Sequence, residues 1–437
     1  MDTERINREL LDFLDSSPNA FFAVANMAKK LERAGFVRLS EGDIWTLAPG
    51  GDYFVTRNGS ALIAFRVPAG EWSGFNIMAS HADSPSFKVK TDPEISVEGN
   101  FTTLNIEKYG GMLCRTWFDR PLSVAGRVVI RTESGVESRL VCVDRDLLMI
   151  PSLAIHMDRE ANSPSAVNVQ TEMLPLFAGK CDKGAFLELI AEEADVSPDD
   201  ILDSDLYLYN RDAGKIFGLN GEFIASGRLD DLQCAFASLT GLLESEPTGS
   251  VAVHCVYDNE EVGSGTKQGA ASTFLADTLR RICSSFGGDG EDFLRAAANS
   301  FMVSADNAHS VHPNYQGKAD PTNRPYINGG IVIKYSANQK YTTDAVSGAI
   351  FREICKRAGV PTQTFANRSD MIGGSTLGNI STSQVAVNCV DIGLPQLAMH
   401  SAYETAGAKD TAFLAAAARE LFSCGIRRTG ENLFVIE

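Results

Sequence analysis

The sequence predicts an α/β protein in which a mixed, largely parallel sheet is sandwiched by helices and interrupted by an inserted β-rich domain. Towards both ends of the chain, apolar strand-like runs alternate with helical segments, which is typical of a sheet covered on both faces. Between about residues 91 and 224 short strand-like runs and loops replace this alternation. With 437 residues, the chain is long for one domain. We therefore expect 1–90 and 225–437 to form one split domain, with 91–224 inserted.

Each element is predicted from local patterning. Helices are expected at 5–14 and 20–34, because apolar residues recur there at helical spacing and Ser-Ser-Pro at 16–18 separates the two runs. Strands are expected where short β-prone runs are bounded by turn residues. They are 44–47, 53–56, 61–67, 75–80, 126–131, 138–143, 206–209, 251–257, 301–305, 331–334 and 385–391. The remaining predicted helices are 184–193, 231–243, 272–284, 346–358 and 410–424.

The composition argues against several classes of protein. A net charge of −17 disfavours nucleic-acid binding, because phosphate contacts need clustered Lys and Arg. No apolar run approaches the ~18–20 residues that cross a bilayer, so no membrane association is expected. The N-terminal segment lacks the apolar core of a signal peptide. The nine scattered cysteines are typical of free thiols in a reducing compartment, so a cytoplasmic location is expected.

Charged residues follow four of the predicted strands, at the ends where open α/β sheets bind ligands. Burying carboxylates in this way is costly unless a cation compensates their charge. The pattern therefore predicts a metal site. The charged residues are His81 and Asp83 after 75–80, Glu260 and Glu261 after 251–257, Asp306 after 301–305, and Asp391 at the end of 385–391, with His400 nine residues further on.

Taken singly, these residues have simpler explanations. His81 beside Asp83 could be a hydrogen-bonded core histidine next to a turn. Asp230 could do no more than cap the helix that follows it. The neighbouring Glu260 and Glu261 could form a solvated acidic turn, although without a metal their charges would repel one another.

Together, the residues suit a pair of divalent ions. Two imidazoles with several carboxylates form the mixed shell that Zn²⁺ prefers, with Mn²⁺ or Co²⁺ as alternatives. Two ions ~3.5–4 Å apart are well held by one bridging carboxylate and terminal ligands on each side. A further pair, His309 and His312, is assigned to local hydrogen bonding. The predicted roles are Asp230 as bridge, His81 and Asp306 for one ion, Glu261 and His400 for the other, and Glu260 as general base.

Longer motifs contain these residues and lie in order over most of the chain. They are MASHADSP (78–85), YGGMLCRTWFDRPLSVAGRV (109–128), LAIHMDR (153–159), SGRLDDL (226–232), DNEEVGS (258–264), SADNAHSVHPNY (304–315) and DIGLPQLAMHSAYE (391–404). The chain closely resembles the aspartyl aminopeptidase family of dinuclear zinc peptidases in these motifs. The resemblance implies the same ligands and base, with Asp83 supporting His81.

The resemblance also implies features that residue spacing does not show. The fold would be zinc-peptidase-like, with the split domain catalytic and 91–224 a dimerisation domain. Dimers would assemble into a dodecamer. His156, which the sequence alone marks as an ordinary loop or strand histidine, would reach the active site of a neighbouring subunit. Lys334 would lie near the substrate, where a cation suits an acidic N-terminal side chain.

The expected function is therefore metal-dependent removal of the N-terminal residue from peptide substrates, with Asp or Glu as the residue the family favours. A metal-dependent deacylase or carboxypeptidase is the alternative, because the ligand set does not fix which end of a peptide is bound. A catalytically silent binding protein would require a missing ligand or base, and none is missing.

Overall fold

The computed structural model describes residues 1–163, 165–371, 373–431 and 433–437. The chain begins with two helices, α1 (Thr3–Asp15) and α2 (Ala20–Arg33). The side chains of Asp2 and Asn19 accept backbone N–H groups of the first turns, and this capping explains where each helix begins. Four strands follow, β1 (Val37–Leu39), β2 (Asp52–Arg57), β3 (Ala61–Arg66) and β4 (Trp72–His81).

The middle of the chain is rich in strands and holds two helices, α3 (Val169–Glu172) and α4 (Ala185–Ala194). Six of its strands form an antiparallel sheet with a separate apolar core around Phe87 and Leu208. The strands of this region are β5 (Ser86–Val97), β6 (Phe101–Tyr109), β7 (Leu122–Thr132), β8 (Gly135–Cys142), β9 (Leu176–Ala178), β10 (Ile201–Asn210), β11 (Lys215–Phe217) and β12 (Phe223–Ser226). The sheet has the order β8-β7-β10-β5-β6-β9.

Strands and helices alternate again in the last part of the chain. Its helices are α5 (Leu229–Leu243), α6 (Phe274–Ser285), α7 (Gly290–Ala298), α8 (Ala345–Arg357), α9 (Leu377–Gln384) and α10 (Asp410–Ser423). Its strands are β13 (Gly249–Tyr257), β14 (Phe301–Ala305), β15 (Ala308–His309), β16 (Ile331–Tyr335), β17 (Thr362–Ala366), β18 (Asn388–Gly393), β19 (Pro395–Leu397), β20 (Glu404–Gly407), β21 (Ile426–Arg428) and β22 (Phe434–Ile436).

The largest sheet has the order β1-β2-β3-β13-β4-β14-β18-β16-β17 among the described residues. Its four central strands, from β13 to β18, run parallel to one another. Successive side chains of β13 face opposite sides of the sheet. Val253 belongs to the apolar core that includes residues of α6, α7 and α9, and Ala252 to the core that includes residues of α1, α2, α5, α8 and α10. The prediction of a mixed, largely parallel sheet sandwiched by helices, with a β-rich region inserted, is confirmed.

The inserted sheet begins at Ser86, the first residue of β5, and its last strand ends at Asn210. The chain then forms β11 and β12, which join β20, β19 and β15 in a third sheet of five strands. The division into domains at 90/91 and 224/225 stays a prediction. Among the described residues, the helices lack the length and hydrophobicity that a membrane span requires.

One predicted strand is wrong. Residues 44–47 form no strand, although Trp45 and Leu47 are buried as an alternating pattern requires. The edge of the sheet is the reason, because β1 already pairs with β2 there and leaves this segment no partner. The indole N–H of Trp45 instead donates to the Ser40 carbonyl, 2.8 Å away.

Candidate metal centre

The parallel strands bring the predicted residues to one edge of the large sheet. β4 ends at His81, which lies beside Tyr257 at the end of β13, directly before the turn that carries Glu260 and Glu261. β14 lies on the other side of β4 and is followed at once by Asp306. Because the carboxyl ends of parallel strands meet at the same edge, side chains from distant parts of the sequence converge there.

Asp230 lies at the centre of this group. Its Oδ1 is 3.8 Å from Nε2 of His81, and its Oδ2 is 3.4 Å from Nε2 of His400. His400 Nε2 is in turn 3.3 Å from Oε2 of Glu261. One carboxylate thus lies between two imidazoles, each oxygen facing a different ring.

The candidate ligand atoms form overlapping clusters. Within each cluster the atoms that could bind an ion lie within 4.8 Å of one another. The buried oxygens Oδ1 of Asp230 and Oε1 of Glu261 have no hydrogen-bond partner among the described residues. Buried carboxylate oxygens normally have a partner, so a cation fits this site. The clusters are His81–Asp230–Asp306, Asp230–Glu261–His400 and His81–Glu260–Glu261.

The electrostatics of the cluster favour the same interpretation. Burial, together with Asp306 and other nearby carboxylates, raises the pKa of Glu260 to about 7. Burial and Asp230 raise the pKa of Glu261 well above its ordinary value. Burial also raises the pKa of Asp306, although Lys334 opposes the shift. Several carboxyl groups are therefore harder to ionise here than in water, and a bound cation would offset the cost of ionising them.

Asp83 holds His81 and the turn after β13 in place. The ring Nδ1 of His81 is 3.0 Å from the Asp83 carbonyl, so Nδ1–H donation leaves Nε2 free to act as a ligand. The Asp83 carboxylate accepts the backbone N–H groups of Glu260 and Glu261, each at 3.1 Å. It also accepts the hydroxyl of Tyr109 at 2.7 Å. Burial works against its charge, but these interactions and His81 keep the pKa of Asp83 below its ordinary value.

Glu404 is a site residue to which the sequence reasoning gave no role. Its Oε2 accepts the backbone N–H of Asp230 at 3.0 Å, and its Oε1 accepts that of His400 at 2.8 Å. His400 has a positive φ of 66°, a conformation that needs such support. Burial and Asp230 raise the pKa of Glu404 to about 8. The sequence signal that could have indicated Glu404 is its position four residues after His400, at the end of the motif at 391–404.

Lys334 and His156 lie in different surroundings. The Lys334 ammonium is buried, donates to the Asn307 carbonyl at 2.9 Å and lies 3.7 Å from Oδ1 of Asp306. His156 is exposed in a loop of the inserted region and does not line the pocket over the cluster. Its predicted contact involves a neighbouring subunit, so its role stays a prediction.

A pocket of about 340 Å³ opens over the cluster. Outside the cluster its wall combines one cation with aromatic and small side chains. His312 makes the expected local hydrogen bond, accepting the Asn314 N–H at 3.1 Å, whereas His309 turns out to line the pocket. The cluster contributes His81, Asp230, Glu260, Asp306 and His400 to the lining, and the other lining residues are Asn307, Ala308, His309, Lys334, Tyr341, Phe365, Gly374, Ser375, Thr376 and Met399.

Comparison with known proteins identifies the family. The family model described as aminopeptidase I zinc metalloprotease (M18) matches residues 13–422. The chain belongs to this family. A probable M18 family aminopeptidase 2 of Clostridium acetobutylicum is 47% identical over 424 residues, which cover 95% of this chain and 98% of the relative. Its counterpart in Pseudomonas fluorescens is 44% identical over 421 residues, covering 94% and 96%.

Solved structures agree with this membership. A chain in the cryo-EM structure of the Ape4 and Nbr1 complex superimposes with a TM-score of 0.93 at 37% identity, covering 96% of this chain and 86% of that one. The mApe1 dodecamer of Saccharomyces cerevisiae has a TM-score of 0.84 at 27% identity, covering 96% of each chain. The prediction of an aminopeptidase of the zinc metallopeptidase class, a hydrolase, is confirmed, and the comparisons favour it over a deacylase or carboxypeptidase.

Proposed function

We propose that this M18 aminopeptidase works with two divalent ions, with zinc as the natural choice and Asp230 as the bridge. The observation that carries the proposal is the position of the Asp230 carboxylate, whose two oxygens face His81 and His400 separately. His81 and Asp306 would hold one ion, and Glu261 and His400 the other. When bound, the ions supply Lewis acidity and make water a stronger nucleophile at neutral pH.

Glu260 is the proposed general base. It lines the pocket, whereas its neighbour Glu261 faces His400. Glu260 would take a proton from the water that attacks the first peptide carbonyl and return it to the departing amine. Asp83 fixes the backbone of Glu260 and so keeps this carboxylate aimed at the pocket. The free α-amine of the substrate would be bound by the acidic site, which accounts for hydrolysis at the N-terminus.

The pocket favours an acidic N-terminal residue. Two divalent ions would balance the four carboxylates Asp230, Glu260, Glu261 and Asp306. The buried Lys334, which lines the pocket beside Asp306, would then leave one positive charge in excess. A substrate Asp or Glu side chain would balance that charge.

The activity is tested with purified protein, metal analysis and a panel of aminoacyl anilides. We expect about two metal ions per chain, cleavage of free aminoacyl anilides, loss of cleavage on chelation and its return with Zn²⁺. N-acetylated analogues should resist cleavage. Equal cleavage of the acetylated and free anilides would contradict an aminopeptidase mechanism, and turnover untouched by complete chelation would contradict the metal centre.

The substrate preference is tested separately with Lys334→Met. The variant should lower the ratio of kcat/KM for an aspartyl anilide to that for a leucyl anilide by about tenfold or more. Lys356→Met, on the exposed surface of α8, is the matched control and should leave the ratio unchanged. An unchanged ratio in Lys334→Met at full metal content would mean that Lys334 does not select the substrate.

Self-association is the remaining part of the proposal. A structural relative is a dodecamer, and we extend that assembly to this chain, with dimers formed through the inserted domain and His156 reaching the neighbouring site. Exposed apolar residues near His156 suit such a contact, among them Leu153, Ile155 and Met157. Light scattering should give a mass many times that of the 47.1 kDa chain. A mass equal to one chain would contradict this assembly.

A further inference from the structure

The inserted domain reaches the metal centre through residues 109–116, which we call the 109–116 segment. β6 of the inserted sheet ends at Tyr109, and the segment then runs past the ligands before β7 begins at Leu122. The segment belongs to the motif at 109–128, the longest of the motifs quoted above. The proposed reaction assigns no role to any residue of that motif. Its contacts with the site come in two groups.

The first group connects Tyr109 to the strand ends of the large sheet. The Tyr109 hydroxyl donates a hydrogen bond to Oδ2 of Asp83 at 2.7 Å. It accepts one from the Nδ2–H of Asn259 at 2.8 Å. Asp83 in turn lies against the His81 ring, and Asn259 directly precedes Glu260. A single hydroxyl therefore joins the end of β4 to the turn after β13.

Gly110 brings the backbone of the segment against a ligand. A Cβ atom at this position would lie 3.1 Å from Cβ of Glu261, and the residue has a φ of 76°. Both conditions favour glycine. The segment thus passes the Glu261 side chain in direct contact.

The second group connects the segment to the loop that carries His400. The backbone N–H of Leu113 donates to the His400 carbonyl at 3.0 Å. The hydroxyl of Thr116 accepts the backbone N–H of Ala402 at 2.9 Å and donates to the Leu113 carbonyl at 2.6 Å. The loop is therefore held at His400 and again two residues later.

We propose that the 109–116 segment is a positioning element of the metal centre and that Tyr109 is its main positioning residue. The inserted domain would then set the ligand geometry within its own chain, in addition to any role in assembly. The inference rests on the proposed metal centre. Residues that support metal ligands typically change metal affinity or activity by about 10–100-fold when they are altered.

The first test is Tyr109→Phe, which removes only the hydroxyl. We expect Zn²⁺ affinity, measured by competition with a chromophoric chelator, to fall about tenfold or more. The visible spectrum of the Co²⁺-substituted protein should change as the ligand geometry relaxes. Tyr207→Phe is the matched control, because its ring packs 5.7 Å from that of Tyr109 and its hydroxyl makes no hydrogen bond with any described residue.

The second test addresses the His400 loop. Thr116→Val keeps the shape of the side chain but cannot accept the Ala402 N–H, so it should weaken metal binding, whereas Thr116→Ser keeps the hydroxyl and should restore most of the loss. This pair keeps the inference testable if Tyr109→Phe folds poorly. Wild-type affinity and Co²⁺ spectra in both Tyr109→Phe and Thr116→Val would overturn it.

The wild-type protein separates this inference from the proposed function. If the wild type does not bind metal in a stoichiometric amount, the proposed metal centre is wrong, and the positioning role is wrong with it. If the wild type binds metal and hydrolyses aminoacyl anilides while the variants behave identically to it, the metal centre stands and only the positioning role is wrong.

Discussion

The two largest sheets differ in how the charge of their carboxylates is compensated. In the inserted sheet, Asp205 lies between the Lys88 ammonium at 2.8 Å and the Arg127 guanidinium at 2.9 Å. Burial alone would raise the pKa of Asp205, but these two cations lower it. The charge of this carboxylate is satisfied within the chain.

At the edge of the nine-stranded sheet the balance is reversed. Glu260 and Glu261 have raised pKa values because of burial and carboxylate neighbours, and Lys334 is the only Lys or Arg that lines the pocket beside them among the described residues. The difference shows that a carboxylate withdrawn from solvent does not by itself indicate a metal site. A metal site is indicated by a group of buried carboxylates that has too few Lys or Arg side chains nearby to balance its negative charge.

The largest expected effect comes from the proposed base. Glu260→Gln keeps the size of the side chain but cannot accept the proton, so kcat should fall by about 10²–10⁴-fold while metal content stays unchanged. Glu107→Gln, on an exposed position of β6, is the control and should retain wild-type kcat. Anilide hydrolysis and metal analysis on the same samples check both. Near-native kcat in Glu260→Gln at full metal content would remove the base assignment.

An intermediate effect is expected for the pH dependence of the metal-free protein. Burial, with neighbouring charges, raises the pKa values of Asp258 and Glu260 to about 7, and burial does the same for Asp410. A carboxyl group with a higher pKa in the folded state takes up protons on folding between its two pKa values. Stability should therefore fall as the pH rises from about 4 to about 7.

Chemical denaturation of the chelated protein measures this dependence. The free energy of unfolding at about pH 5 should exceed that at about pH 8 by more than about 1 kcal/mol. Zinc loading should reduce the difference, because a cation favours the ionised form of Glu260. A metal-free protein that is more stable at the higher pH would contradict the raised pKa values of these buried carboxyl groups.

The smallest effect is expected in the inserted sheet. Asp205→Asn weakens the ion pairs with Lys88 and Arg127, whose side chains remain partly exposed, so the free energy of unfolding should fall by at most about 1 kcal/mol. Metal content and kcat should not change. A large loss of bound metal in this variant would mean that Asp205 is electrostatically coupled to the metal centre. It would contradict the view that the charge of Asp205 is balanced independently within the inserted sheet.

Much of the site was predictable because its signals are local. An apolar run that ends in His81, or in a turn with Glu260 and Glu261, can be read without knowing the fold. Parallel strands then place such ends at one edge. The residues that position the candidate ligands were harder to predict from the sequence. Glu404 and Tyr109 gain their roles from hydrogen bonds to residues far away in the sequence.

The sequence by itself determined the alternation of strands and helices, the insertion and the types of residue at the candidate metal centre, because hydrophobic periodicity and strand-end charges are properties of short segments. Only the tertiary structure decided that β1 takes the sheet edge from residues 44–47, that Asp230 lies between two imidazoles and that the 109–116 segment passes the site. These outcomes depend on which strands pair and on which loops share the same space. No short segment carries that information, because pairing is settled by the packing of the whole chain.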